Sequence, residues 1–272
     1  MEEKYNTFFQ RLAVIVVGIP LLGYIIFWNE VPFLITIICF NILAIYELQN
    51  ILTKSSWNPS FLFSTIFSLY FVYVSVNELY VINIDYKLVL AIIAFIFLFS
   101  QFIVKNNNIK DATRSIFTTL FSSIYIGYFS SFLLKIKLLP EGNMFLIFLF
   151  IIIWMNDTGA FIIGTIFGKK KLAPKISPKK TIEGSIAGIS FSFITVIILN
   201  QWLHYELSRL LFIGIIIPMV GQFGDLFESI LKRRAKIKDS GKLIPGHGGV
   251  LDRFDSLLFA APVFYLCIIY VQ

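Results

Sequence analysis

The sequence predicts an all-α, polytopic integral membrane protein with about nine transmembrane helices and a cytoplasmic N-terminus. Three observations predict it. Hydrophobic residues make up 57% of the 272-residue chain and charged residues 14%, and the mean hydropathy of +0.81 is too high for a soluble domain of this size. The apolar residues gather into nine runs of roughly 17–25 residues, the length at which a helix crosses a bilayer core. When those runs alternate across the membrane, nineteen of the 23 Lys and Arg residues fall on one face. The positive-inside rule makes that face cytoplasmic.

In chain order the runs lie at 12–28, 32–48, 61–81, 88–104, 115–134, 144–167, 184–203, 207–227 and 255–271. The cytoplasmic face then holds Lys4, Arg11, Lys54, the loop with Lys105, Lys110 and Arg114, six lysines between Lys169 and Lys180, and seven cations between Lys232 and Arg253. The opposite face holds Lys87, Lys135, Lys137 and Arg209, together with the C-terminus. Trp28 and Asn29 follow the first run where a cleaved signal would show small residues, so it reads as a retained span. Cys39 and Cys267 fall inside runs and form neither a disulfide framework nor a metal-ligand pair.

The chain divides at about residue 135. Residues 1–135 read as a transmembrane scaffold of five spans with few polar groups, joined by short loops such as K-N-N-N-I-K-D-A-T at 105–113. The 30 Phe residues fit helices that pack against acyl chains. Glu47, near the cytoplasmic end of the second span, reads two ways: a functional carboxylate, or a side chain that snorkels to the interface. Residues 136–272 form a C-terminal transmembrane region that carries the polar chemistry, with cytoplasmic loops at 168–183 and 228–254.

In that region W-M-N-D-T-G-A-F-I-I-G places Asn156, Asp157 and Thr158 inside an apolar run. An intramembrane Asp is costly without a partner, so Asp157 is either a lock between two helices or a wall of a site. Gly159, Gly164 and Gly168 permit close helix contact. The loop G-K-K-K-L-A-P-K-I-S-P-K-K-T-I-E-G joins six lysines to Pro174 and Pro178, each of which fixes a backbone angle. Ser177, Thr181 and Glu183 ahead of an apolar run predict a helix start. The loop therefore reads as a phosphate-binding element, with Lys179 and Lys180 nearest the chemistry, in preference to a bare topology anchor.

The most charged stretch, Ser229–Asp255, is S-I-L-K-R-R-A-K-I-K-D-S-G-K-L-I-P-G-H-G-G-V-L-D-R-F-D. Its cations Lys232, Arg233, Arg234, Lys236, Lys238, Lys242 and Arg253 surround Asp239, Asp252, Asp255 and a turn of Gly246, His247, Gly248 and Gly249. Cations crowded against carboxylates call for phosphate groups and hard divalent ions between them, as a nucleoside triphosphate with magnesium would supply. Asp225, Glu228, Ser229 and Lys232 recur every three or four residues and share one helix face. Asp252, Asp255 and Ser256 repeat that spacing where the last span begins, so two helix ends are expected to present Asp225 and Asp252 toward each other. Neither G-T-I-F-G-K-K nor G-K-L-I-P-G-H has Walker spacing, and His204 and His247 cannot build a His-rich metal site. The carboxylates suit magnesium better than zinc.

The pattern S-I-L-K-R-x4-K-D-x-G-x-x-I-P-x-H-G-G-V-x-D-R-F-D resembles the signature of the phosphatidate cytidylyltransferases, or CDP-diacylglycerol synthases. D-T-G-A-F-I-I-G and S-P-K-K-T-I-E-G are similar to further segments of that family, with Phe161 where Tyr is commoner. The resemblance implies a nucleotidyltransferase of the bacterial inner membrane, its site facing the cytoplasm, that transfers CMP from CTP to phosphatidic acid and releases pyrophosphate. It implies a homodimer and a divalent metal, Mg2+ or Mn2+ with room for a second ion, on Asp225 and Asp252. Lys232, Arg233 and Arg253 are the further catalytic candidates. Asp157, Ser177, Lys179, Lys180, Thr181, Ser229, Lys238, Asp239, His247, Gly248, Gly249 and Asp255 are the expected substrate contacts, and no nucleic acid partner is expected.

Such a reaction needs no strong general base, because a phosphomonoester with a second pKa of about 6 is largely dianionic near neutral pH. It needs charge neutralisation and in-line positioning. CTP arrives from water and phosphatidate from the bilayer, so a polar cavity at the cytoplasmic membrane level is expected, lined by Asp157, Lys179, Lys180, Asp225, Ser229, Lys232, Arg233, Asp252 and Arg253 and open laterally to lipid. Two rival readings are a CTP-dependent enzyme acting on an isoprenoid lipid and an ion-coupled transporter. Against the transporter, the ionisable residues crowd the cytoplasmic ends of the last spans.

Overall fold

The computed structural model describes residues 16–80, 86–104, 108–203, 207–244, 246 and 248–271. Helices fall on all the predicted runs: α1 (Val16–Phe27), α2 (Glu30–Lys54), α3 (Phe61–Tyr80), α4 (Tyr86–Val104), α5 (Ile109–Ser122), α6 (Phe129–Lys137), α7 (Gly142–Ile166), α8 (Ile182–Leu203), α9 (Leu207–Arg234) and α10 (Leu251–Val271). A π-helical turn, Ser123–Tyr128, joins α5 and α6 into one continuous pass. That pass and α2, α7, α8 and α9 are long and apolar enough to cross a membrane. The chain is thus the helical membrane protein that its composition predicts. A short antiparallel hairpin, β1 (Lys171–Ala173) and β2 (Ser177–Thr181), interrupts the helices.

The chain forms two compact units. The first runs to Lys135 and takes in Arg234–Leu251, while the second comprises Ile136–Arg233 and the chain from Asp252 onward. The charged stretch is therefore divided between units. The expected loop at 228–254 is also shorter than expected, because α9 continues to Arg234 and α10 begins at Leu251. Hydropathy marks where apolar residues stop, whereas Glu, Lys and Arg are themselves good helix formers and carry the helix onward. For the same reason, most of the expected loop at 105–113 is helix, with Asn108 at the N-cap of α5.

In the first unit, Ile37, Phe40, Ala44, Ile45, Leu48, Ile51 and Leu52 form the buried stripe of α2, while Ile35, Ile42 and Tyr46 face outward. Outward apolar side chains are the expected surface against acyl chains. The expectation of few polar groups needs correction. Ser64, Ser68, Ser115, Thr118, Thr119, Ser122, Ser123 and Ser130 are all buried. Thr118, Ser122, Ser123 and Ser130 donate to carbonyls three or four residues earlier, as when the Ser123 hydroxyl reaches the Thr119 carbonyl at 2.7 Å, whereas other bonds join distant segments, as when Asn41 donates to the Ser130 hydroxyl at 2.9 Å. Small hydroxyl side chains let helix backbones approach closely where a bilayer offers no hydrophobic drive for association.

In the second unit, α7 and α8 meet backbone to backbone. A Cβ on Gly184 would stand 2.7 Å from the Ala160 carbonyl oxygen, and one on Gly188 would stand 2.6 Å from that of Asn156. Neither oxygen can move without displacing its helix. Gly188→Ala is therefore expected to destabilise the protein by about 1–3 kcal/mol, the usual range for overpacking. Gly23, with nothing within 4 Å of its Cβ position, is the control. Thermal midpoints in detergent should fall for Gly188→Ala and not for Gly23→Ala.

Candidate active site

A polar network at the centre of the second unit links three helices. Asn156, fully buried on α7, donates to Asp157 Oδ1 at 3.1 Å. It accepts from Gln222 Nε2 of α9 at 2.7 Å, and that amide also donates to the Ser185 carbonyl of α8 at 3.0 Å. The Ser185 hydroxyl donates to Gln222 Oε1. Close approach of α8 at Gly184 and Gly188 makes this possible, so the packing glycines and the polar groups belong to one device.

One helical turn after Gln222, Asp225 forms an ion pair with Lys180 of β2 and accepts from the Ser229 hydroxyl at 3.4 Å. The hairpin that carries Lys179 and Lys180 is anchored at three points. Thr181 caps α8 through its Oγ1, which accepts from the Gly184 amide at 3.1 Å. The Glu183 carboxylate accepts from the Lys169 and Lys170 amides at 3.1 Å each. Arg233 Nε donates to the Ile176 carbonyl at 3.0 Å. Ser177 and Pro178, expected near a helix start, lie instead in β2, because pairing of Ala173 with Ser177 and of Lys171 with Thr181 delays the helix to Ile182.

Asn156, Asp157, Lys179, Lys180 and Asp225 line a cavity of about 270 Å³, with Phe161 and Leu172 among its apolar walls. Phe161 is 70% exposed, so the cavity borders on the outward, apolar surface of α7. Of the nine residues expected to line one cavity, Asp157, Lys179, Lys180 and Asp225 do so; Ser229, Lys232, Arg233, Asp252 and Arg253 do not reach its walls.

Lys232 forms a second cluster. Its ammonium donates to Glu228 Oε2 at 2.8 Å and to Asp252 Oδ1 at 2.6 Å. Glu228 is fully buried, Lys232 is 8% exposed, and buried Asp255 accepts from the Ser256 amide at 2.7 Å. The Asp225 carboxylate is within Coulombic reach of both Asp157 and Asp255, so the two clusters share one field. Arg253, exposed at the start of α10, adds a positive charge that reaches Asp157. Lys238, Asp239, Gly248 and Gly249 lie in the first unit. His247 lies outside the described residues.

Among the described residues no three His, Cys, Asp or Glu side chains gather closely enough to hold a metal unaided. Mg2+ asks for less, binding through one or two carboxylates and completing its shell with waters and substrate phosphates. Glu228 Oε1 is buried and receives no hydrogen bond from an amine, amide or hydroxyl among the described residues; the Asp255 carboxyl lies within hydrogen-bonding reach of the Glu228 carboxyl. The donor set therefore fits a divalent ion that arrives with a phosphate ligand. Gln222 and Ser185 escaped the sequence reading, although Gln222, three residues before Asp225, lies on the same helix face.

Fold and site together define a helical membrane protein whose paired lysines and carboxylates suit phosphate-bearing ligands. The chain belongs to the cytidylyltransferase family, whose model matches residues 9–271. It is similar to the phosphatidate cytidylyltransferase of Staphylococcus epidermidis, 43% identical over 152 residues that make up 55% of this chain and 58% of that protein. With that of Staphylococcus saprophyticus it shares 42% identity over 154 residues, 56% of this chain and 58% of the relative. With that of Staphylococcus haemolyticus the match is 38% over 193 residues, 70% and 72% of the two chains. The aligned part thus spans 58% of the length of the first two relatives.

Proposed function

We propose that this protein transfers CMP from CTP to phosphatidic acid, giving CDP-diacylglycerol and pyrophosphate. The observation that carries the reading is the cavity in which Lys179 and Lys180 face the carboxylates of Asp157 and Asp225, beside an apolar surface where a lipid headgroup can enter. In the reaction an oxygen of the lipid phosphate forms a bond to the α-phosphorus of CTP. The bond from that phosphorus to the β-phosphate oxygen breaks, and pyrophosphate leaves with the electron pair. Asp225 and Asp252 would hold a divalent ion, Mg2+ or Mn2+, which would supply charge neutralisation on the triphosphate.

The protein's own residues bring two anions together. Lys179 and Lys180 hold phosphate oxygens, and Asp225 keeps the Lys180 ammonium aimed at the cavity. Lys232, fixed between Glu228 and Asp252, neutralises the second cluster. Ser177, Thr181, Ser229, Arg233, Arg253, Asp255, Lys238, Asp239, His247, Gly248 and Gly249 remain candidates for contacts with the two substrates. The basic hairpin and loop face the cytoplasm of the bacterial inner membrane, with nine spans and the N-terminus on the same side, because a 19 to 4 division of Lys and Arg favours it. The assembly is a homodimer, as the resemblance implies.

Purified protein in proteoliposomes containing phosphatidate should form CDP-diacylglycerol on addition of CTP and magnesium, and should stop when the metal is chelated. Solute transport without pyrophosphate release would contradict the reading. Lys180→Ala should raise the Michaelis constant for CTP or for phosphatidate by about 10- to 100-fold, the usual effect of losing a hydrogen bond to a charged group. Unchanged constants and turnover in both Lys179→Ala and Lys180→Ala would reduce the hairpin to a topology anchor.

A further inference from the structure

Among the described residues of the first unit, Glu47 is the one buried acid. It lies on α2 and is 1% exposed, so its carboxylate does not snorkel to the interface. Instead it is spent on one loop some two hundred residues away. Glu47 Oε1 accepts from the Val250 amide at 3.0 Å. Glu47 Oε2 accepts from the Leu251 amide at 2.8 Å and from the Ser240 hydroxyl at 3.0 Å. The two amides are those at the N-terminal end of α10, where unpaired N–H groups and the helix dipole favour a negative charge.

The loop is shaped around this carboxylate. A Cβ on Gly249 would come within 2.5 Å of Glu47 Oε2 and 2.6 Å of Oε1, and a Cβ on Gly241 would also collide with Oε1. Glycine stands at both positions because nothing larger leaves room for the acid. Between them the Ile244 amide donates to the Gly248 carbonyl at 2.9 Å, closing a turn in which Gly246 and Gly248 adopt φ of 73° and 86°. Glu47 therefore grips both ends of the glycine turn, at Ser240 and at Val250–Leu251. The residue after Leu251 is Asp252, which the Lys232 ammonium holds.

We infer that Glu47 is a positioning residue for the proposed CMP transfer: its carboxylate fixes the 240–251 loop and the first residue of α10, and thereby sets where Asp252 stands. It touches no substrate. Its effect on turnover rests on the proposed function, whereas its effect on the loop does not.

The test uses the full-length protein in detergent or nanodiscs, with Glu47→Gln, Glu47→Ala and Gly249→Ala. The last variant presses on the same contact from the opposite side and leaves the acid in place. Hydrogen exchange of peptides covering 240–251 should quicken at least tenfold in Glu47→Ala and in Gly249→Ala, while α3 and α5 keep wild-type protection. Glu47→Gln, which retains one acceptor oxygen, should fall between wild type and Ala. Turnover at saturating CTP and magnesium should fall by about 10- to 100-fold in Glu47→Ala, the range for loss of a group that orients a ligand, and by less in Glu47→Gln. Unchanged exchange in the loop overturns the inference. Exchange that rises equally through α3 and α5 also overturns it, by making Glu47 a general packing group, and faster loop exchange with unchanged turnover overturns its link to Asp252. Wild-type protein that makes no CDP-diacylglycerol would refute the proposed function and leave the exchange comparison to decide the role of Glu47 in the loop.

Discussion

Asp225→Asn and Asp252→Asn should each lower CMP transfer by about 100- to 1000-fold, the scale seen when one group that stabilises developing charge is removed, while the protein still inserts and folds. Asparagine keeps the shape of the side chain and one carbonyl oxygen. For Asp225 that oxygen can still accept from Lys180, and for Asp252 it can still accept from Lys232. What is lost is the negative charge, and with it the capacity to hold a divalent cation. The decisive measurement is turnover across a magnesium titration in each variant. Activity close to wild type at ordinary magnesium would remove that residue from the metal site.

Lys232→Met should be the most destabilising single change in the site, at about 3–5 kcal/mol, because it strips the counter-charge from a buried acid. Glu228 is fully buried and has Lys232 as its ion-pair partner among the described residues. Methionine preserves volume and removes only the ammonium. A second substitution, Glu228→Gln, should then recover much of the loss, since it removes the charge that the first left uncompensated. Thermal unfolding in detergent of the two single variants and the double variant checks this. Additive losses in the double variant would show that the Glu228–Lys232 pair contributes little.

Much of this architecture is legible in the chain because a bilayer reduces the choices. Runs long enough to span it must be helical, since every backbone group needs an internal partner there. The runs at 61–81 and 184–203 accordingly match α3 and α8 to within a few residues. Helix ends were less legible where charge begins, as at α9, whose last turn is Leu231–Arg234, because hydropathy falls there although helix propensity does not. The β1–β2 hairpin left a partial signal in Pro174 and Pro178, which point to a shaped loop without specifying strands. Asp157, Asp225 and Lys232 could be named from intramembrane charge and helical spacing, and Lys180 from its place in a basic, proline-shaped loop ahead of a helix start. Gln222 and Ser185 could not, because an amide and a hydroxyl in an apolar helix are more often packing groups, and only the approach of α8 at Gly188 makes them one network. Glu47 showed an unusual acid at a span end, but no local pattern reveals a partner two hundred residues away.

Whether the Lys180–Asp225 and Lys232–Asp252 pairs serve transfer of the nucleotidyl group is tested most directly by the fate of labelled CTP. Purified protein in phosphatidate-containing vesicles is supplied in parallel with CTP labelled at the α-phosphorus and at the γ-phosphorus. The α label should enter the lipid fraction as CDP-diacylglycerol while the γ label leaves in soluble pyrophosphate. Transfer of the γ label to lipid would make the protein a CTP-dependent kinase, and retention of both labels in water would contradict an enzyme acting on phosphatidate.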